Sequence, residues 1–369
     1  MRKILSVLTA LAMTAAVLAG CAKGGAETTA APSETETSAS VTTAETSSEE
    51  SKAEEAPEAK ALRIGSLKGP TSMGLVELMD NSEKGGAEGS YEFTMVTAAD
   101  ELLGKIASGE LDIALVPANM ASIIYSKTNQ GISVIDINTL GVLYAVSSDD
   151  SIKTTGDLKG KTVYLTGKGA TPDYAFRHVL KANGLTDSDV TLEYKSEAAE
   201  VAAILKEKPD AVGLLPQPFV AVALAQNDAL KIVLDLTKEW DAAGIEGSGS
   251  LVTGVTICRN DVLKEQKEAV ETFMAEHNTS AQYANSNTAE TAALVAAAGI
   301  IEKAPIAEKA IPYCSITYVD GEEMKSLLSG YLKVLFDMDP ASVGGTLPAD
   351  DFYYLPESGK NELRKRRFP

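Results

Sequence analysis

The chain has 369 residues, 44% of them hydrophobic, and a formal net charge of −19 from 33 basic and 52 acidic side chains. That length suits about two domains, and the hydrophobic share is that of a globular protein. The acidity argues against nucleic acid as a partner, because a phosphate backbone draws basic surfaces. The three cysteines and two histidines contain no CxxC and no Cys/His cluster of the kind that holds structural zinc.

Arg2 and Lys3 precede the apolar run ILSVLTALAMTAAVLAG, and Cys21 follows it. A charged start, an apolar stretch and small residues before a cleavage point predict a secretory signal over residues 1–20. The run is short for a membrane-spanning helix, and no second span is expected. Residues 22–60 are nearly all Thr, Ser, Ala and Glu, without an aromatic residue. Such a segment cannot bury enough surface to offset its ordering entropy, which predicts a disordered acidic tether. Its glutamates repel one another and extend it.

From Ala61 onward, strand-like and helix-like segments alternate, a pattern of sheets flanked by helices. Strands are expected at 62–64, 91–96, 112–116, 132–137 and 141–147. A helix is expected from Pro70 to Met79, with Thr71 or Ser72 as its cap, and others at 98–108 and 118–125. The pattern then restarts. A short helical segment at 151–159 leads to strands at 162–165, 190–194, 211–215 and 232–236, with helices at 171–182, 198–206 and 218–225. A long apolar strand at 251–258 follows. After it only helices are expected, at 261–285, 288–301 and 321–338. A second lobe inserted into the first across two crossings produces this order. The crossings fall near 141–147 and 249–258, giving a first lobe of 61–146 plus 255–369 and a second of 147–254.

Four strand-to-helix turns carry the candidate site. They lie at 66–72 and 117–119 in the first lobe and at 167–172 and 216–218 in the second. Helix starts present N–H groups that can hold a polar or negative ligand, and open α/β sheets bind ligands beyond the carboxyl ends of their strands. The candidate contacts are Ser66, Lys68, Thr71, Ser72, Pro117, Asn119, Gly167, Lys168, Gly169, Ala170, Thr171 and Gln217, with Tyr144 in the first crossing. Each also has a plain structural reading. Thr71, Ser72 and Asn119 serve equally as helix caps, Lys168 as an exposed lysine, and Tyr144 as a core residue. Trp240, the sole tryptophan, belongs either at the cleft rim or buried at a lobe surface. GKGATP is neither a Walker loop nor a dinucleotide fingerprint. His178 is expected on the exposed side of its helix, and His277 has no evident partner. Acidic residues are scattered without a paired-carboxylate pattern, so no catalytic residue, metal or cofactor is expected. Cys258 and Cys314 either pair or remain buried thiols.

Several segments resemble known families. Leu18-Ala19-Gly20-Cys21 resembles the bacterial lipoprotein box. SIKTTGDLKGKTV at 151–163 resembles the signature that opens the second lobe of type 2 periplasmic binding proteins. GELDIALVPANMAS at 109–122, TGKGATPDYAFRHVLKANGL at 166–185 and DAVGLLPQPFVAVAL at 210–224 extend that resemblance, which covers 61–354. The branch most resembled is that of the sulfonate/nitrate/taurine and thiamine-pyrimidine-precursor binding lipoproteins of ABC importers. The resemblance implies an α/β, two-lobed clamshell, each lobe a mostly parallel sheet flanked by helices, with a small molecule or anion held between them. It implies a monomer anchored through diacylglycerol on Cys21 to the outer face of the cell membrane, in a Gram-positive bacterium. The implied partners are an ABC permease and its ATPase. Two other readings stand beside it. One is a pyrimidine-precursor synthase of the same fold using pyridoxal phosphate, against which the export signal and the two histidines argue. The other is a sensory or adhesion lipoprotein without a permease.

Overall fold

The computed structural model describes residues 60–243 and 249–356, all within one compact unit. The expected leader, Cys21 and the tether as far as residue 59 lie outside the described residues. The chain begins with β1 (Leu62–Leu67), α1 (Pro70–Met73), α2 (Val76–Glu83), β2 (Tyr91–Val96), α3 (Ala99–Ser108), β3 (Ile113–Pro117), α4 (Ala118–Lys127) and β4 (Ile132–Leu140). It continues through β5 (Leu143–Ser147), β6 (Thr162–Leu165), α5 (Thr171–Ala182), β7 (Thr191–Tyr194), α6 (Ala198–Glu207), β8 (Val212–Pro216), α7 (Phe219–Gln226), β9 (Lys231–Asp235) and α8 (Leu236–Ala242). The last described stretch holds β10 (Val252–Arg259), α9 (Asn260–Glu265), α10 (Lys267–Ser286), α11 (Thr288–Ala297), α12 (Ala304–Ala310), β11 (Ile316–Val319) and α13 (Gly321–Met338).

The strands form two sheets, a six-stranded one in the order β11-β4-β10-β3-β1-β2 and a five-stranded one in the order β7-β6-β8-β5-β9. In each sheet the strand that arrives from the other lobe runs against its neighbours. β10 is antiparallel to both β3 and β4, and β5 is antiparallel to both β8 and β9. The other pairs are parallel, except for β11 against β4. Since β5 pairs in the second sheet, the chain changes sheets at Gly141 and Val142, earlier than the boundary at 146.

Several expectations about elements need correction. The helix expected at 261–285 is two, α9 and α10, which part at Gln266, and α8 and α12 were not expected. The helix expected from Pro70 to Met79 is two helices, because the chain breaks at Gly74. A Cβ on that glycine would come 2.9 Å from Ile316 Cγ2, so the backbone there lies against β11. No side chain caps α1, since Ser72 turns back to Ser66 and to the Leu67 carbonyl. A strand does follow β10: ITYV at 316–319 pairs with the outer side of β4. Its β-branched and aromatic residues suit an edge strand, but four residues give too few periods to stand out.

Asp112 ties strand ends together. It is buried, accepts from the Arg63 backbone N–H and Nε at 2.9 Å each, and lies 3.8 Å from Arg259 Nη1. Arg63 is the second residue of β1, Arg259 ends β10, and Asp112 immediately precedes β3. Burial opposes ionisation of this carboxyl, but the Arg63 hydrogen bonds and charge outweigh it and hold it below the usual carboxylate range. A depressed folded pKa means stabilisation that is complete above the unfolded value and lost as pH falls through the folded one. Asp112→Asn is therefore expected to cost about 1–3 kcal/mol near neutrality. The gap from the parent should shrink below about pH 4. Urea unfolding across pH 3–7 measures this, and a pH-independent gap would rule the ion pair out as its cause.

The two body cysteines are buried free thiols in separate clusters. Cys258 lies on β10, beside Ile113 of β3, and Cys314 Sγ lies 3.6 Å from Met73 Sδ. Burial pushes both thiols up, which keeps them protonated. The largest apolar cluster draws on both sheets, with α13 packing against α4, β10 and α5. Trp240 lies inside it, 1% exposed, with ring centroids 4.4 Å from His178 and 5.6 Å from Tyr331. His178 is thus buried, not on an exposed helix side. Burial, helped by the Lys181 charge, holds its imidazole below the usual value.

Candidate functional site

The parallel pairing of β1 with β3, and the antiparallel pairing of both β3 and β4 with β10, bring the carboxyl ends of β1, β3 and β4 to one edge of the first sheet. In the second sheet the carboxyl ends of β6 and β8 share an edge likewise. Side chains from these edges meet. The Thr171 hydroxyl, at the start of α5, donates to Asn119 Oδ1 near the start of α4 at 3.4 Å. The Tyr331 hydroxyl of α13 donates to Thr171 Oγ1 at 3.2 Å. Asn119 Nδ2 donates to the Ser342 carbonyl at 3.1 Å. Tyr144 on β5 donates across to the Tyr313 carbonyl at 3.2 Å, and Tyr174 on α5 donates to Asp339 at 3.2 Å. Burial, with the Asp235 charge beside it, pushes the Tyr144 hydroxyl up to about 12, so it remains a donor across the physiological range.

The expected site residues divide into two groups. Ser66, Thr71, Ser72, Asn119, Tyr144, Thr171 and Gln217 are all buried. Ser66 and Ser72 pair through their hydroxyls at 2.8 Å, and Thr71 Oγ1 donates to the Leu67 carbonyl at 3.4 Å. Gln217, joined to Pro218 by a cis peptide, donates its N–H to the Val142 carbonyl at 2.9 Å. Its Oε1 accepts from the Ala221 N–H at 3.3 Å, so part of the side chain caps its own helix start. Pro117 is half-buried at the end of β3.

The second group lies further out. Lys68 and Lys168 are exposed. Gly167 and Gly169 take left-handed backbone angles, φ 73° and 74°, which glycine adopts without steric cost. The turn through Ala170 closes with the Ala170 N–H on the Gly167 carbonyl at 2.9 Å. The Gly169 N–H is taken by Asp173 Oδ2 at 2.9 Å. Lys168 Nζ sits 5.5 Å over the Tyr194 ring. It lines a groove of 620 Å³ with Asp173, Tyr174, Arg177 and Asp339. Arg177 there is occupied, its Nε 2.6 Å from Asp173 Oδ1, and it also pairs with Asp187. Burial and the hydrogen bond to Asp173 push the Tyr194 hydroxyl up to about 12.

Apart from the part-buried Asp339 carboxylate, these contacts are made by hydroxyls, amides and backbone carbonyls, all neutral. Such a set can satisfy a polar solute by hydrogen bonding from both sides. Among the described residues no group of His, Cys, Asp and Glu is arranged to hold a metal ion. Four participants escaped the sequence. Tyr331 is 160 residues from its partner Thr171 and carried no local signal. Tyr174 and Asp339 are 165 residues apart. Gly254, a glycine inside an apolar strand, was a signal, because such a position marks close approach by other groups. A Cβ there would come 2.6 Å from Thr71 Cγ2.

A family model described as NMT1/THI5 like matches residues 92–291, just over half of the chain. No curated protein matches at the level of sequence. Among solved structures, an ABC transporter protein from Parabacteroides distasonis is 24% identical, with a TM-score of 0.68, covering 81% of this chain and 99% of its own. The periplasmic aliphatic sulphonate binding protein SsuA from Escherichia coli is 18% identical with a TM-score of 0.66, covering 81% and 93%. The alkanesulfonate-binding protein SsuA from Xanthomonas axonopodis pv. citri, bound to MOPS, is 17% identical with a TM-score of 0.60, covering 80% and 96%. At these identities the likeness shows a shared fold, that of the periplasmic binding proteins.

Proposed function

We propose that this chain, which belongs to the NMT1/THI5-like family, is an extracytoplasmic solute-binding lipoprotein that captures a small organic molecule or anion between its two lobes and delivers it to an ABC permease. The observation that carries the reading is the meeting of Asn119 and Thr171, buried polar side chains from helix starts of opposite sheets. A solute seated at that junction bonds to both lobes only when they are closed, so it shifts the population toward closure. The mechanism is binding and release without chemistry. The leader and Cys21 support export and lipid anchoring, and the two crossings between sheets support a hinge.

The solved relatives that bind sulphonates make that class the first to try. A thermal-shift screen of the purified body with alkanesulfonates, nitrate, pyrimidine precursors and nucleobases tests the reading. A solute at a hundred times its Kd stabilises the folded state by about 2.7 kcal/mol. At least one of these compounds is expected to raise the melting temperature by several degrees. No shift with any of them would remove this solute list. In cells, the parent is expected in the membrane fraction and Cys21→Ser in the soluble one.

A further inference from the structure

Behind the turn that carries Thr71, a line of buried polar side chains runs through the first sheet. His277 Nδ1 on α10 lies 3.3 Å from Asp136 Oδ2. Asp136 Oδ1 accepts from the Thr256 hydroxyl at 2.7 Å. Thr256 Oγ1 accepts from the Asn138 amide at 3.1 Å, and Asn138 Oδ1 accepts from the Thr139 hydroxyl at 2.9 Å. None of the five is more than 3% exposed. His277, without an evident partner in the sequence, therefore has one in the fold.

The line has a direction. A carboxylate only accepts, so the one proton of Thr256 goes to Asp136. The Thr256 oxygen is then left to accept, and it takes an N–H of Asn138. The Thr139 proton goes to Asn138 Oδ1. Turning the Asn138 amide over would set its oxygen against the Thr256 oxygen, whose proton is already given to Asp136, and would leave Thr256 without the N–H it accepts. One N–H and one lone pair of the amide remain beyond these two bonds.

Asn138 also sits at the end of the sheet that carries the proposed binding turns. It lies near the carboxyl end of β4, the same end as the turns after β1 and β3. Across the ladder, a Cβ on Gly254 would come 2.5 Å from Asn138 Oδ1 and 2.6 Å from Thr71 Cγ2. The amide and the cleft-turn threonine thus press on one point of the sheet. Hydrogen bonds of this kind in a buried network fix one arrangement of the groups they join; at the far end of the line the buried Nε2 of His277 has no hydrogen-bond partner among the described residues.

We infer that Asn138 is a solute-orienting residue of the cleft, with Thr256, and through it Asp136 and His277, as positioning residues that hold its amide one way round. The inference rests on the binding reading of the cleft given above. Asn138 presents its remaining donor and acceptor to the solute. Thr256 acts only through Asn138.

The test is titration calorimetry of the parent, Asn138→Ala, Thr256→Val, Thr256→Ser and the double variant Asn138→Ala/Thr256→Val. The probes are ethanesulfonate, nitrate and cytosine, and urea midpoints are recorded for each protein. Asn138→Ala is expected to weaken the tightest-binding probe roughly tenfold. Thr256→Val should weaken it several-fold, and Thr256→Ser, which keeps the hydroxyl, should restore the parent affinity. In the Asn138→Ala background, Thr256→Val should produce no further loss, a coupling that a merely structural threonine would not show. Parent-like affinity in Asn138→Ala, or equal losses from Thr256→Val with and without Asn138, overturns the inference while leaving the binding reading intact. If Asn138→Ala fails to fold, the contrast between Thr256→Val and Thr256→Ser decides, and equal affinities for these two overturn it. A parent that binds none of the probes overturns the binding reading for these solutes, and the inference with it.

Discussion

Trp240→Ala is expected to remove about 3–5 kcal/mol of folding free energy, the cost of deleting a large buried aromatic side chain. Trp240 is among the largest fully buried side chains in the described residues. It joins three helices: its own α8, α5 through His178, and α13 through Tyr331. Its indole N–H donates to the Gly249 carbonyl at 3.1 Å, on the stretch that returns to the first sheet. A cavity here would be lined by groups from both lobes, and tight packing leaves them little room to collapse into it. Trp240→Phe keeps most of the ring and gives up that hydrogen bond, so a smaller loss is expected. Urea unfolding followed by circular dichroism gives both values, and a loss under 1 kcal/mol for Trp240→Ala (about one exposed-site substitution) would mean the indole is not a core residue.

Gly254→Val is expected to cost about 1–3 kcal/mol through overpacking and to abolish whatever solute-induced thermal shift the parent shows. Gly254 lies within β10, paired to Pro117 on one side and Thr139 on the other. Both neighbours restrain the backbone, so the added carbons must be accommodated by Asn138, Thr71 or Thr139, all within 3.3 Å of the new Cβ. Thr71 is on a cleft turn, and displacing it moves the groups proposed to meet the solute. Melting curves with and without solute separate the two effects. A variant that is destabilised but still shifts fully with solute would place Gly254 away from the binding surface.

Much of this arrangement was legible because it is written locally. Strand 162–165 and helix 171–182 fall where periodicity put them, and the four turns were marked by Gly, Pro and hydroxyl residues. The meeting of Asn119 and Thr171 follows from turns that were recognised one at a time. The second layer was hidden because its signals are not local. Tyr331 reaches Thr171 from a helix that reads only as amphipathic, and Asp136 finds His277 at a separation of 141 residues. His178, read as lying on the exposed side of its helix, is covered there by α8 and Trp240. The break at Gly74 depends on β11, a strand too short to announce itself. Lys168 was placed with the cleft because it lies in the right turn. Its side chain extends over Tyr194, in a groove shared with Tyr174 and Asp339, a choice that a backbone position alone does not determine.

The strand order of the six-stranded sheet has a kinetic consequence. The second sheet is drawn from one continuous stretch, β5 to β9, and can assemble from neighbours in the sequence. The first sheet has a gap between β3 and β4 that only β10 fills, and Thr256 meets Asp136 across 120 residues. Contacts of such separation close late, because the entropy of the intervening loop must be overcome first. The inserted lobe shortens that loop once it is folded. The lobe that comes second in the sequence is therefore expected to mature first, and to act as the scaffold on which the first lobe is completed.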